Sequence, residues 1–290
     1  MKNWVLFFLT YILSFPTFGQ TANPQVLEKD IYQTSTNWTE LKITAFVKEP
    51  VPMIVFDESD PKFGKENTAT SQGRAHSIAR KKAKERLKIR LSQRLESLLF
   101  NSDFTVYEYT QTRQNVRLSL NHFLAKDPET YDFLFQKNHL EAKAEISIRG
   151  KEGVLSHIPI EFGTEEMPIF TEELPAVAFS GLIVDARHLK LNKALLPKIQ
   201  TDRGLDIYSP IYTKEAYAIE KGYIHYSKDT KERFVERIVG KNPYFVLGLG
   251  VSGKNQTDII LPTDEVVKLL SHPDSRKNIT RCRVLILVSD

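Results

Sequence analysis

The sharpest chemical signal in this chain is the run Gly248-Leu249-Gly250-Val251-Ser252-Gly253-Lys254-Asn255. It satisfies G-x-G-x-x-G and comes within one residue of G-x-x-x-x-G-K-[ST], a loop whose backbone amides cradle phosphate while a hydroxyl holds magnesium. Asn255 stands where that hydroxyl belongs. A phosphate cradle also needs a helix to begin at once, so that its N-terminal amides face the anion. Here Asn255-Gln256-Thr257-Asp258 reads as a turn and Ile259-Ile260-Leu261-Pro262 as extended chain. The segment is therefore expected to be a glycine-rich strand end with a turn, and no nucleotide is expected as a partner.

Electrostatic binding is the second chemistry on offer. Arg74, Arg80, Lys81, Lys82, Lys84, Arg86, Lys88, Arg90 and Arg94 share one predicted helix with only Glu85 and Glu96. A face of one sign can attract nucleic acid or anionic lipid. No aromatic residue interleaves these cations, so the helix offers bases no stacking platform and nucleic acid is not expected. Two readings stay open: the solvated face of an amphipathic helix, or a contact for an acidic envelope partner. Arg80, Lys81, Lys84 and Lys88 are the candidate residues for the second. The whole chain, with 40 basic and 36 acidic residues, is only mildly basic and does not name a partner by itself.

Asp185-Ala186-Arg187-His188 brings acid, cation and imidazole to the end of an apolar run, where sites often form. Asp185 and Arg187 would either fix the strand end or contact a partner. The seven histidines are scattered without ligand spacing, so no metal site is expected. No G-x-S-x-G nucleophile elbow occurs, and nothing pairs two carboxylates at a separation suited to glycosidase work. No catalytic residue and no cofactor are expected. The one cysteine, Cys282, excludes an internal disulfide and sits in a strand-like run that should bury it.

The elements that position these residues follow from periodicity. Leu41 to Lys48 alternates as a half-buried strand. Thr70 or Ser71 offers an N-cap to a helix reaching toward Phe100, whose apolar positions recur from Ala75 to Leu98 every three or four residues. A shorter helix carries Val116, Leu120, Phe123 and Leu124 on one face, and strands follow at Tyr131 to Phe135 and Leu140 to Arg149. Farther on, Val177 to Ala186 reads as a central strand and Pro197 to Tyr208 as a hairpin turning at Gly204. Gly222 to Tyr226, Tyr244 to Val251 and Arg283 to Val288 read as strands, with helices over Thr230 to Val239 and, capped, over Thr263 to Leu270. The fold class is α+β, in two domains whose helices pack on an antiparallel or mixed sheet.

Residues 1–19 have the three parts of a secretory signal. Lys2 precedes an apolar run from Trp4 to Phe15, and Thr17 and Gly19 place the cut before Gln20. That run of about twelve residues falls short of the ~20 that span a bilayer. Residues 20–37 read as a polar leader and 38–150 as an α+β domain with the basic helix. Residues 151–175 form an acidic Pro/Gly linker, and 176–290 a second α+β domain. Export places the protein in the periplasm or at the outer envelope, where nucleotide is not supplied.

Trp38-Thr39-Glu40-Leu41-Lys42-Ile43-Thr44-Ala45, the alanine-spaced helix and the strand Ala142 to Arg149 together resemble a bacterial envelope family. It is the small-lipoprotein domain also found at the N-terminus of flagellar assembly protein T. Ser180 to Arg187, Leu196 to Ile199, Asn242 to Val246 and Cys282 to Ile286 resemble a module that follows it in exported proteins. Two departures stand out: no lipid-bearing cysteine follows the apolar run, and His188 stands where glycine is expected. The resemblance implies a non-enzymatic envelope protein that binds envelope or flagellar-basal proteins, or anionic envelope polymers. The competing reading is a periplasmic hydrolase or polysaccharide-binding protein with a site assembled from distant residues. A deep pocket with converging carboxylates would favour the latter, and a flat basic face the former.

Overall fold

A polar sequence can still form strands when its hydroxyls and carboxylates find partners, and residues 25–37 do so. The computed structural model describes residues 25–128, 130–170, 177–230 and 233–289, so the signal expected over residues 1–19 lies outside the described residues. The first half comprises β1 (Leu27–Lys29), β2 (Thr34–Asn37), β3 (Lys42–Pro50), the short parallel pair β4 (Met53–Ile54) and β5 (Thr68–Ala69), and helices α1 (Gln72–Ser97), α2 (Val106–Gln111) and α3 (Gln114–Ala125). Strands β6 (Thr130–Phe135) and β7 (His139–Ser147) complete it. Five strands make one antiparallel sheet of order β1-β2-β3-β7-β6. The expected polar leader is thus corrected to two strands as far as residues 25–37 are concerned. The Asp30 carboxylate closes their turn by accepting from the Tyr32 and Thr34 amides at 2.9 and 2.8 Å. Thr34 and Thr36 are buried although polar, which hid this pair from any hydrophobic pattern.

Helix α1 lies on this sheet. Ser71 caps it, its Oγ accepting from the Arg74 amide at 3.3 Å. Ala75, Ala79, Ala83, Leu87, Leu91 and Leu95 are all buried at 1% exposure or less. A strict four-residue repeat overshoots the helical period by ~40° per step, so the stripe winds around the helix as the sheet twists beneath it. Alanines at the start let the helix axis approach β3 and β7, while leucines fill the wider space near its end. Helix α2 was not expected; Thr105 and Glu108 form a reciprocal capping box at its start.

The second half comprises β8 (Leu182–Asp185), β9 (Ile199–Thr201), β10 (Asp206–Tyr208), α4 (Glu215–Lys221), β11 (His225–Ser227), α5 (Arg233–Val239), β12 (Tyr244–Leu247), β13 (Gly250–Ser252), β14 (Asp258–Leu261), α6 (Thr263–Leu270), α7 (Pro273–Ile279) and β15 (Val284–Leu287). The α+β class holds, but the strands divide into two sheets: a parallel one of order β11-β15-β8-β12 and a mixed one of order β10-β9-β14-β13. The apolar runs of β8 and β15 occupy the inner positions of the parallel sheet, buried throughout. The hairpin turns at Gly204, whose φ is +80°. Tyr244 to Val251 is two strands rather than one, because the chain crosses between sheets at Gly248-Leu249. Helix α6 is capped from outside: the Thr263 amide donates to the Asp202 carboxylate at 3.2 Å.

The halves share one buried core. Trp38 meets Tyr226 edge-on at 5.6 Å, and the Thr39 hydroxyl donates to the Tyr226 carbonyl at 2.8 Å. The Leu195 and Leu196 amides donate to the Leu99 and Phe100 carbonyls at 2.9 and 2.8 Å. Residues 151–170 of the expected linker take part, burying Val154, Leu155, Ile158 and Met167 in that core while Glu161, Glu165 and Glu166 face out.

Candidate functional site

The basic stripe of α1 splits into two rows on either side of the buried one. His76, Arg80, Lys84 and Lys88 each follow a core position and run over β6. His76 stacks on Phe135 with centroids 4.0 Å apart, and the Arg80 guanidinium lies 5.2 Å from Phe135 and 5.7 Å from Phe133. The Lys84 ammonium lies 4.7 Å from Tyr131, and Lys88 pairs with Asp127 at 2.9 Å. Four helical residues advance ~6 Å and two strand residues ~6.8 Å, so rungs stay matched along both elements. Lys82, Arg86, Arg90 and Arg94 precede core positions and reach the other side. They meet Asn67 at 2.9 Å, Glu49 at 2.7 Å, the Phe46 carbonyl, and Thr36 with Glu28 at 2.8 Å each.

The helix is therefore clamped to the sheet along both flanks, by ring and cation–π contacts ending in ion pairs to Asp127 on one, and by ion pairs and hydrogen bonds on the other. Aromatic partners are present after all; they come from β6 instead of from the helix. Of the four candidate residues on this helix, Arg80, Lys84 and Lys88 are engaged within the chain. Lys81 alone points outward, with no hydrogen bond or ion pair among the described residues.

Asp185 and Arg187 form a pair at the C-terminal end of β8. The guanidinium spans both carboxylate oxygens at 2.9 and 2.5 Å, and the Arg187 amide donates to Asp185 at 3.1 Å. The hydrogen bonds from the Arg187 side chain hold the Asp185 carboxyl below the usual carboxylate range. In register beside Asp185 stands Leu247 of β12, and beside Ile183 stands Phe245. Strand β12 is an edge strand. Phe245, Leu247 and the following Leu249 are 51%, 56% and 54% exposed, whereas Val246 between them is buried. Helix α5 covers Ile183, Leu285 and Leu287 on the same sheet face but stops short of this strip. The sequence marks Tyr244 to Val251 as a strand and carries no sign that one of its faces stays uncovered. The signal that separates the two cases is the edge position, which depends on pairing that is not local.

The glycine-rich segment has a structural task. Gly253 turns with φ +83°, and strand β14 follows it where a phosphate loop would start a helix. The turn receives residue 102 of the first half: the Asn255 amide donates to the Ser102 carbonyl at 2.9 Å. No cluster of His, Cys, Asp and Glu suited to a metal ion occurs among the described residues. Cys282 is buried, and burial pushes its thiol up to about 12.

Residues 181–290 match the family described as Treponema pallidum Tp0624, second domain. The matched stretch holds all of β8 to β15, and with them Asp185, Arg187 and the β12 strip. It does not reach the first half, where the likeness to the flagellar assembly domain was drawn. No curated protein matches the chain. No described helix is long and apolar enough to cross a membrane.

Proposed function

We propose that this is an exported, non-enzymatic protein of a bacterial cell envelope that works by binding other envelope proteins. The first half's resemblance suggests the flagellar base as one setting. The observation that carries the proposal is the strip formed by Phe245 and Leu247 on the edge strand β12 and by Leu249 just after it, bordered by Asp185 and Arg187. An exposed apolar edge is a liability in a free protein and a ready surface for a partner. Covering three half-exposed side chains of this size is worth on the order of 3 kcal/mol. Protein partners are favoured over anionic polymers because Arg80, Lys84 and Lys88 already hold the helix to its sheet.

The test is capture of partners from envelope extract by the full chain. Leu247→Lys should abolish recovery of a protein that the unaltered chain retains, with thermal stability unchanged. Recovery that survives Leu247→Lys but is lost with Lys81→Glu would move the contact to α1. Recovery of no protein would overturn the proposal. Mass spectrometry of the native product should find Gln20 at the N-terminus; Met1 on a cytosolic species would remove the envelope setting.

A further inference from the structure

A cleft of about 640 Å³ opens where the two halves meet, away from the β12 edge. Its walls come from the loop after α1, from α2 and α3, from residues 159–161 and from the chain around Lys198. We infer that this cleft binds a neutral oligosaccharide of two or three sugar units.

Charge makes the first selection. Four charged residues line the cleft, the cations Arg113 and Lys198 and the carboxylates Asp103 and Glu161, so the lining sums to zero. Lys198 is already paired with Asp206 at 2.8 Å. A polyanion or polycation would gain nothing here that its counterion did not already supply.

Hydrogen-bonding capacity makes the second. The side chains of Asn115 and Glu161 are exposed and make no hydrogen bond or ion pair among the described residues. Asn101 uses its side-chain oxygen on the Asp103 and Phe104 amides, both at 3.0 Å, and keeps its NH2 for a ligand. Arg113 lies over Tyr109 at 4.1 Å, and Tyr109 stacks in turn on Phe100 at 3.9 Å. The guanidinium is thus held against an aromatic pair; one of its amino groups donates to the Thr112 hydroxyl at 3.1 Å, and the remaining N–H groups make no hydrogen bond among the described residues. Donors and acceptors in mixture are what vicinal hydroxyls require, since each hydroxyl both gives and takes a hydrogen bond.

Rigidity and shape make the third. The loop bearing Asn101 and Asp103 is pinned at Leu99, Phe100 and Ser102 by amides of Leu195, Leu196 and Asn255, so little ordering is left for the ligand to impose. The volume lies in the range of small-ligand sites, which favour such junctions. Among the described residues that line the cleft none belongs to a strand, so an extended peptide would find no backbone ladder to join.

Titration calorimetry of the full chain with chitotriose, cellotriose and maltotriose tests this, with tetraglycine as the peptide control. At least one trisaccharide should bind with Kd of about 1 mM or tighter. The double variant Asn115→Ala/Glu161→Ala, both sites being exposed, should weaken it about tenfold or more at unchanged thermal stability. Leu247→Lys should leave it unaltered, which separates this site from the docking edge. The inference is overturned if no sugar binds at about 10 mM, if the double variant binds as tightly as the unaltered chain, or if tetraglycine is the ligand preferred.

Discussion

Gly253 and Ser102 are packed so closely that a Cβ on the glycine would lie 2.3 Å from the Ser102 Cβ. The contact joins the two halves, and the glycine also turns with φ +83°. Two penalties therefore fall on any side chain at residue 253: left-handed backbone strain and displacement of a loop held by three backbone hydrogen bonds. Gly253→Ala is expected to lose ~2–4 kcal/mol in chemical denaturation. Adding Ser102→Gly should recover the steric part and leave the backbone part. No shift in thermal stability with Mg-ATP is expected, because the glycines serve an internal docking turn.

The nine cations of α1 should differ widely in what their removal does. Arg94 is buried, donates to Thr36 and Glu28, and shares Glu28 with the Trp38 indole, which donates at 2.9 Å. Arg94→Ala strands a partly buried carboxylate and is expected to lose ~3 kcal/mol. Arg80→Ala removes cation–π contacts at an exposed site, worth ~0.5–1 kcal/mol. Lys81→Ala should lie within ~0.5 kcal/mol of the parent. Urea midpoints of the three variants check this order; equal effects would mean that the flanking rows do not clamp the helix.

Much of the architecture could be read from residue order because it rests on local rules. The Ser71 cap, the four-residue repeat of α1, the alternation of β7 and the glycine at the β9–β10 turn each carry their own signal. What could not be read depends on partners far along the chain. Strands β1 and β2 are held by Arg94, Trp38 and a self-closing Asp30 turn, none of which leaves a hydrophobic period. The cations of α1 look free in sequence because Phe133, Phe135, Asp127, Glu49 and Glu28 arrive from elsewhere. The same holds for the β12 strip, legible as a strand but exposed because of sheet order, and for the cleft, whose polar side chains come from separate segments.

A continuous core changes the expected unfolding behaviour. Trp38 packs against Tyr226, Leu41 fills the space that Gly222 leaves beside α4, and the Leu99 and Phe100 carbonyls bond across the junction. Cutting the chain between residues 150 and 176 would expose both faces of this contact at once. Calorimetry of the full chain should give a single transition, and fragments 38–150 and 176–290 should each lack a sharp one. Two separate transitions would show that the junction contributes little to stability.

His225 supplies a pH dependence with a definite sign. Its ring is buried on β11, and burial, reinforced by the Arg149 charge, lowers its pKa from 6.5 to about 3. The unfolded chain therefore binds a proton below pH 6.5 that the folded chain refuses. Stability contributed by neutral His225 is complete above pH 6.5 and falls as pH drops toward 3, with a slope approaching ~1.4 kcal/mol per pH unit. Asp185 acts lower: its carboxyl, depressed by hydrogen bonds from Arg187, loses its contribution only below the ordinary carboxylate range. Asp258, raised by burial, works in the opposite sense. The discriminating quantity is thus the difference in slope between the parent and His225→Gln from about pH 6.5 to 5. Urea unfolding across that window should show the parent losing stability faster than the variant as acid is added. Parallel slopes would mean that the His225 ring accepts its proton in the folded state, and that β11 is less closed to water than its packing indicates.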